Sequence, residues 1–284
     1  MRVVGCECVQ GSTYLRSTKS LFELYINSEF FVTHFVFFPA MQVLTSCGVF
    51  GGSNALWKTE ALRSYTFRRD VQTEDIELSA QAMLRSVRIR FCPAARSGEL
   101  PPASFRALYQ QRLRWAIGWD QVTIQHFAGI AKSSLSCRGK AALYWILPMR
   151  WALLFSATLN AIITPVVGYL YKLHFPGASL GLPIDACISL ALLSFLAVTV
   201  VVCACAVMHE PPRLWLPVLL FQATGVLYIS WQLLLACISL SKVCIGADGG
   251  WIVTTRASTS TSRRLSAAFL DPAVSGEGKY VRLE

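Results

Sequence analysis

The sequence has few charged residues, and the shortage is confined to one stretch. Only 15% of the 284 residues are charged and 54% are hydrophobic, whereas soluble domains carry about 25% charged residues. Of the 26 basic residues, only Arg150, Lys172 and Arg213 fall between Ala141 and Leu240. A loss of charge over such a length excludes an ordinary soluble domain and predicts membrane spans. The basic segments on either side are typical of cytoplasmic chain beside anionic lipid.

Signatures of several other protein classes are missing. The ten cysteines form no C-x-x-C pair and have no histidine at ligand spacing, so a zinc site is not indicated and we expect all ten to be reduced. No basic run is interleaved with aromatic residues, which argues against nucleic-acid binding despite the net charge of +10. The N-terminus lacks the hydrophobic region of a signal peptide.

The first half of the chain has a mixed α/β pattern. Residues 3–9 and 87–92 are strand-like in composition. Thr73 is predicted to cap a helix whose first turn is acidic, which suits the positive end of a helix. Ser104 is predicted to cap a long helix that ends near Phe127.

Three apolar segments in the second half are long enough to span a bilayer: residues 143–171, 183–208 and 214–240. Residues 21–44 are also apolar, but their uncharged part is shorter than the ~20 residues of a span, which favours burial over a fourth span. Three spans would put the two basic flanks on opposite sides of the membrane, against the positive-inside rule. Either the first segment lies partly in the interface or one long segment is a tight hairpin.

A Q-x-x-R-W sequence is the strongest chemical signal. On a helix, Gln111, Arg114 and Trp115 share one face. A guanidinium clamps a diphosphate, and a flat indole stacks on the apolar face of a pyranose ring. The alternative is an amphipathic interfacial helix with Arg and Trp at the level of the lipid headgroups.

Other motifs accompany it in a fixed order: F-G-G-S-N-A at residues 50–55, T-E-D at 73–75 and E-L-P at 99–101. This ordered set resembles family 2 processive glycosyltransferases such as cellulose, mannan and hyaluronan synthases. The resemblance extends over about residues 9–256 and is closest over 97–120. It implies an α/β fold, with an incomplete GT-A-type glycosyltransferase domain over 1–130. An all-α transmembrane region over 143–240 and a cytosolic tail over 241–284 follow.

The resemblance also implies roles for residues near the T-E-D motif. Asp75 would be the general base that takes a proton from the acceptor hydroxyl, and Glu74 would orient the turn. The alternative for Asp75 is an acid in a first helical turn, favourable by about 0.3–1 kcal/mol. The acceptor-binding residues implied are Gly51, Gly52, Ser53, Glu74 and Trp115.

The segment W-I-V-T-T-R at residues 251–256 resembles the gating loop that closes over the nucleotide in these synthases. A membrane-flanking Trp–Arg anchor is the alternative. The residues implied for binding the nucleoside diphosphate are Gln111, Arg114, Trp251, Thr254 and Arg256.

The resemblance is incomplete, because the sequence has no D-x-D to carry the Mg²⁺ or Mn²⁺ expected in the full-length enzyme. We therefore expect no metal ligands in this chain and no activity from it alone, with the donor-binding half on a longer gene product or a second chain. The expected function is inverting transfer from a nucleotide-diphosphate sugar to a growing polysaccharide, in a multi-pass protein of the plasma membrane or Golgi with a cytosolic catalytic domain. The alternatives are a lipid glycosyltransferase of ceramide or sterol type, and a non-catalytic membrane subunit that retains an acceptor-binding surface.

Overall fold

The structure is a computed structural model that describes residues 6–175, 182–247, 249 and 256. For residues 182–188 and 191 it describes the backbone only. The strands and helices of the N-terminal part, in chain order, are β1 (Cys8–Leu15), α1 (Leu21–Val32), α2 (Phe38–Thr45), β2 (Ala55–Trp57), α3 (Thr59–Arg63), α4 (Glu74–Leu84), β3 (Ile89–Glu99) and α5 (Phe105–Lys132). The helices that follow are α6 (Cys137–Ile146), α7 (Met149–Thr158), α8 (Thr164–His174), α9 (Leu182–His209) and α10 (Trp215–Cys244). Turns of π-helix at Thr33–Phe37 and Leu159–Ile163 join α1 to α2 and α7 to α8.

The three strands form one small mixed sheet with β1 in the centre. β3 lies parallel to β1 and β2 antiparallel to it, with Cys8 opposite both Ile89 and Trp57. Residues 3–5 of the first predicted strand lie outside the described residues, and both observed strands extend beyond the predicted ends at residues 9 and 92. The end of β1 was missed because Gln10 and Ser12, although polar, are buried in it, so the apolar pattern ends before the strand does.

Helices α2, α4, α5 and α6 share the main core of this half. The buried apolar side chains of this core come from these helices and from the segments next to them: Met41, Val49, Val71, Ile76, Ala80, Met83, Val122, Ile130, Ala142, Leu143, Ile146 and Leu147. The cap predicted at Ser104 is confirmed, since its Oγ accepts the Ala107 N–H at 3.2 Å. Helix α5 continues to Lys132, beyond the predicted end near Phe127.

The apolar stretch at 21–44 is helical and packs against α9 and α10. Phe31 and Phe35 form a buried cluster with Val202 and Ala206 of α9 and Val218 of α10. Its apolar composition therefore reflects packing, and it is not among the candidate spans found in the described residues.

Three helical stretches in the described part of the chain are long and apolar enough to cross a membrane: Met149–His174, Leu192–His209 and Pro212–Cys244. The three predicted apolar segments are thus confirmed as helices, but the first begins later than expected. The helix is interrupted at Leu147 and Pro148, so that α6 packs in the core and the candidate span begins with α7. Because α9 and α10 are each one continuous helix, the alternative of a tight hairpin in either is wrong.

Candidate active site

Asp75 lies in the first turn of α4 and faces the glycine-containing loop before β2. Its Oδ1 accepts the Ile76 N–H at 2.9 Å. Its Oδ2 lies 2.7 Å from the position that a Cβ on Gly52 would take. The structure thus brings together the T-E-D and G-G-S motifs, 23 residues apart in the sequence, as close van der Waals neighbours.

The glycine at position 52 is required for two independent reasons. Its φ of +79° lies in the left-handed region that residues with a Cβ rarely adopt. Its lack of a side chain also lets the backbone approach the Asp75 carboxylate. Thr73 does occupy the N-cap position, as predicted, but its side chain makes no capping hydrogen bond. The Thr73 side chain instead packs against Gly118 of α5, where a Cβ would meet Thr73 Oγ1 at 2.3 Å.

The surroundings of Asp75 make its carboxylate unusually basic. Burial, together with a smaller effect of the neighbouring Glu74 charge, raises the pKa of Asp75 from an ordinary 3.8 to about 6. The Ile76 N–H and the Arg114 guanidinium act in the opposite direction and lower that pKa. Such a carboxylate is ionised at neutral pH yet is a better proton acceptor than an exposed aspartate.

Arg114 is placed beside these carboxylates by the packing of α5 on α4. Its Nη1 donates to the Gln72 carbonyl at 3.2 Å. Burial lowers the pKa of Arg114, the charges of Glu74 and Asp75 oppose that shift, and the Arg256 guanidinium adds to it. The two arginines predicted to bind diphosphate therefore lie within electrostatic range of each other and of the T-E-D motif.

Gln111 and Trp115, the other two named residues of the Q-x-x-R-W motif, pack around Arg112, which occupies a variable position of the same motif. Gln111 is buried, and its Oε1 accepts from Arg112 Nη1 at 2.7 Å. The Arg112 guanidinium lies over the Trp115 ring, 4.1 Å from its centroid, and pairs with Glu29 at 2.5 Å. Sugar stacking by the half-buried Trp115 and diphosphate binding by Gln111 remain predictions.

The chain after α10 returns to this region. Arg256 Nη1 donates to the Leu100 carbonyl at 2.6 Å and lies 3.6 Å from Glu99 Oε2. Glu99 Oε1 in turn accepts the Ser53 hydroxyl at 2.6 Å, which links Arg256 to the glycine loop. Gly249 also contacts the region, because its carbonyl accepts from Gln72 Nε2 at 2.7 Å. Trp251 and Thr254, the other predicted members of this segment, lie outside the described residues.

Comparison with known proteins assigns this arrangement to a family. A family described as "Glycosyl transferase family group 2" matches residues 4–240. The chain belongs to this family of glycosyltransferases. The family 2 assignment confirms the transferase class predicted from the ordered motifs.

Curated relatives match this glycosyltransferase over a shorter stretch. A segment of 64 residues is 38% identical to poly-beta-1,6-N-acetyl-D-glucosamine synthase of Staphylococcus aureus, in strains COL, N315 and MW2 among others. The match covers 22% of this chain and 16% of the synthase, so only a small part of those relatives' length is spanned.

Three residues of this site carried no assigned role in the sequence analysis. Gln10 binds the glycine loop, Glu99 links that loop to Arg256, and Gly118 allows α5 to approach α4. Glu99 belongs to the E-L-P motif, so its presence near the site could have been anticipated. No local pattern distinguishes Gln10 or Gly118, because their importance depends on contacts with residues more than 40 positions away.

Proposed function

We propose that this family 2 enzyme is an inverting glycosyltransferase that extends a polysaccharide from a nucleotide-diphosphate sugar, with Asp75 as the general base. The observation that carries the proposal is the Asp75 carboxylate, which lies beside Gly52 and within electrostatic range of the Arg114 guanidinium, with its pKa raised by burial. A proton acceptor with a pKa near the working pH is what base catalysis of hydroxyl attack requires.

In the proposed step, Asp75 accepts the proton of the acceptor hydroxyl while the hydroxyl oxygen bonds to the anomeric carbon. The bond from that carbon to the diphosphate oxygen breaks, its electron pair leaves with the diphosphate, and the configuration inverts. Arg114 and Arg256 are the proposed cations beside the leaving diphosphate, with Gln111, Trp251 and Thr254 completing that subsite. Preorganised positive charge at a developing anion is among the largest contributions to catalysis.

The loop at Gly51, Gly52 and Ser53 is the proposed support for the acceptor's terminal sugar, with Glu74 and Trp115 at its sides. Glu74 is exposed beside Asp75, so it is accessible to an acceptor hydroxyl. The similarity to a poly-N-acetylglucosamine synthase favours a polymer as acceptor over a lipid. A ceramide or sterol acceptor remains the second candidate on the sequence motifs alone.

A divalent cation such as Mg²⁺ or Mn²⁺ neutralises the leaving diphosphate in reactions of this class. The residues described here do not fit that ion, since no three His, Cys, Asp or Glu side chains among them converge as ligands. A further segment of the polypeptide, or a second chain, is proposed to hold the nucleotide and its cation.

Contacts at the ends of α10 support a membrane arrangement that satisfies the positive-inside rule. Before α10, Glu210 pairs with Arg96 of β3 at 2.6 Å. Beyond it, Gly249 and Arg256 contact Gln72 and Leu100. Both ends of α10 therefore lie against the N-terminal part of the protein, which carries the candidate active site. We propose that α10 runs along that part and that two stretches, α7–α8 and α9, cross the bilayer. Both basic flanks then share the cytosolic side of the plasma membrane or Golgi.

The test is the substitution Asp75→Asn, assayed by incorporation of radiolabelled sugar in the protein's native membranes. Loss of a general base is expected to lower the rate by ~10²–10⁴-fold, while binding of the nucleoside diphosphate, measured by calorimetry, persists. The matched control is Asp70→Asn, which changes an exposed aspartate paired with Arg68 and is expected to leave the rate unchanged. Near-normal incorporation by Asp75→Asn would falsify the assignment of the base. Equal incorporation by membranes without the protein would favour the non-catalytic subunit.

A further inference from the structure

Gln10 is a buried polar residue of β1 that contacts the loop beside Asp75. Its side chain is 1% exposed. The amide nitrogen donates to the carbonyls of Ser53 and Gly11, each at 2.8 Å, and the amide oxygen accepts the Gly51 N–H at 2.9 Å. Both donor hydrogens and the acceptor of this side chain are therefore engaged.

A glutamine suits this position because Gly51–Ser53 has no partner in the ladder between β2 and β1, which begins at Ala55, opposite Gln10. The first backbone bond to β1 is made at Asn54, whose carbonyl accepts the Gly11 N–H at 2.8 Å. A carboxamide offers one donor and one acceptor together, as a backbone peptide unit does, so it satisfies an N–H and a C=O on either side of Gly52. Gly51 is exposed and Ser53 is half-buried, so the two bonds restrain a loop backbone that water would otherwise solvate.

The two loop bonds of Gln10 flank the residue beside the proposed base. Gly51 and Ser53 are the neighbours of Gly52, and a Cβ on Gly52 would lie 2.7 Å from Asp75 Oδ2. We infer that Gln10 is a positioning residue, whose amide fixes the Gly51–Ser53 loop so that the acceptor hydroxyl and Asp75 meet at a set distance. This inference rests on the proposed function, because it assigns Asp75 as the base.

A purely structural role for Gln10 predicts a different outcome. In that case its loss lowers the amount of folded protein, while the folded enzyme behaves normally. A positioning role predicts that the folded enzyme itself changes, because a relaxed loop admits water to Asp75 and moves the acceptor. The pH dependence of the rate and the division of the effect between kcat and KM separate the two roles.

The experiment compares Gln10→Met, Ser12→Ala and Asp75→Asn in native membranes, with rates normalised to folded protein. Gln10→Met keeps the side-chain length and removes both polar groups. Ser12→Ala is the matched control, since Ser12 is equally buried in β1 but its hydroxyl donates to Pro93 O, away from the loop. We expect Gln10→Met to lower kcat by ~10-fold or more and to move the acidic limb of the pH–rate profile to lower pH. Ser12→Ala should change neither quantity.

Should Gln10→Met fail to fold, kcat and KM of Gln10→Glu provide the test, because its carboxyl keeps an acceptor for the Gly51 N–H but, when ionised, loses the donor to Ser53; its added charge would raise the pKa of Asp75, so no shift of the acidic limb to lower pH is expected of this variant. A Gln10 variant with the wild-type pH profile and kcat would overturn the positioning role. If Asp75→Asn is inactive and the Gln10 variants are normal, only this inference fails. If Asp75→Asn is active, the proposed base fails as well.

Discussion

The contact between Gly52 and Asp75 predicts an unusual response to the smallest substitution available. Gly52→Ala adds one methyl group where φ is +79° and where that methyl would lie 2.7 Å from Asp75 Oδ2. The backbone conformation alone costs about 1–3 kcal/mol for a residue with a Cβ. The overlap requires a further shift, because carbon and oxygen atoms that are not bonded rarely come closer than 3.0 Å.

The side chain of Asp75 is the more mobile partner in this contact and is expected to give way. Rotation of its carboxylate relieves the overlap at small cost to folding but disrupts the bond from Ile76 N–H. Stability should therefore fall only by the backbone strain, whereas activity should fall further because the proposed base is misplaced. A misplacement of about 1 Å in a catalytic group can cost ~10²-fold in rate.

Gly51→Ala is the matched control for this prediction. A Cβ at Gly51 would meet its nearest neighbours, Phe38 and Gln10, at 3.9–4.0 Å, which is ordinary contact. Initial rates of sugar incorporation and thermal unfolding midpoints are measured for both variants. We expect Gly52→Ala to lose at least tenfold more activity than Gly51→Ala after normalisation to folded protein. Equal activities for the two variants would refute the idea that the loop backbone sets the position of Asp75.

Three further predictions concern packing around the site. Gly118→Ala should lower activity by ~10-fold or more, because the added methyl would push α5 away from Thr73; incorporation assays on folded protein test this. Asp120→Ala should lower the free energy of unfolding by roughly 3–5 kcal/mol, because the buried carboxylate accepts hydrogen bonds from three side chains on α7 and α10. Thermal unfolding in detergent measures this, and an unchanged midpoint would contradict the prediction. Burial opposes ionisation of Glu77, but hydrogen bonds from His126 and Gln81 outweigh it and lower the pKa of Glu77 below its usual 4.5. Its stabilisation is therefore present above about pH 5 and lost as pH falls through the depressed pKa, so Glu77→Gln should show a flatter decline of unfolding midpoint in acid than the wild type.

Sequence motifs predicted which residues of the candidate site lie together better than they predicted the residues that support it. The order of the G-G-S, T-E-D and Q-x-x-R-W motifs predicted that Asp75, Gly52 and Arg114 belong to one site, and the structure places them together. The support for that site comes from Gln10, which no periodic pattern marks, because a buried polar residue in a strand looks like a break in the strand. The same effect shortened the predicted β1, since hydrophobic alternation cannot register residues that are buried through hydrogen bonds.

The helical face predicted for the Q-x-x-R-W motif did not include Arg112 or its partners on other helices. Spacing along a helix shows which side chains are neighbours, but not which neighbouring helix they meet. Arg112, in a variable position of the motif, is 2% exposed and pairs with Glu29 of α1. Its Nε also donates to the Tyr228 hydroxyl of α10 at 3.3 Å. A buried cation without such partners would be strongly destabilising, so α1, α5 and α10 are obliged to stay together at this point. Helix α5, which carries Arg114, is thereby fixed to α10, so the Q-x-x-R-W motif lies on a helix that packs against a candidate membrane helix.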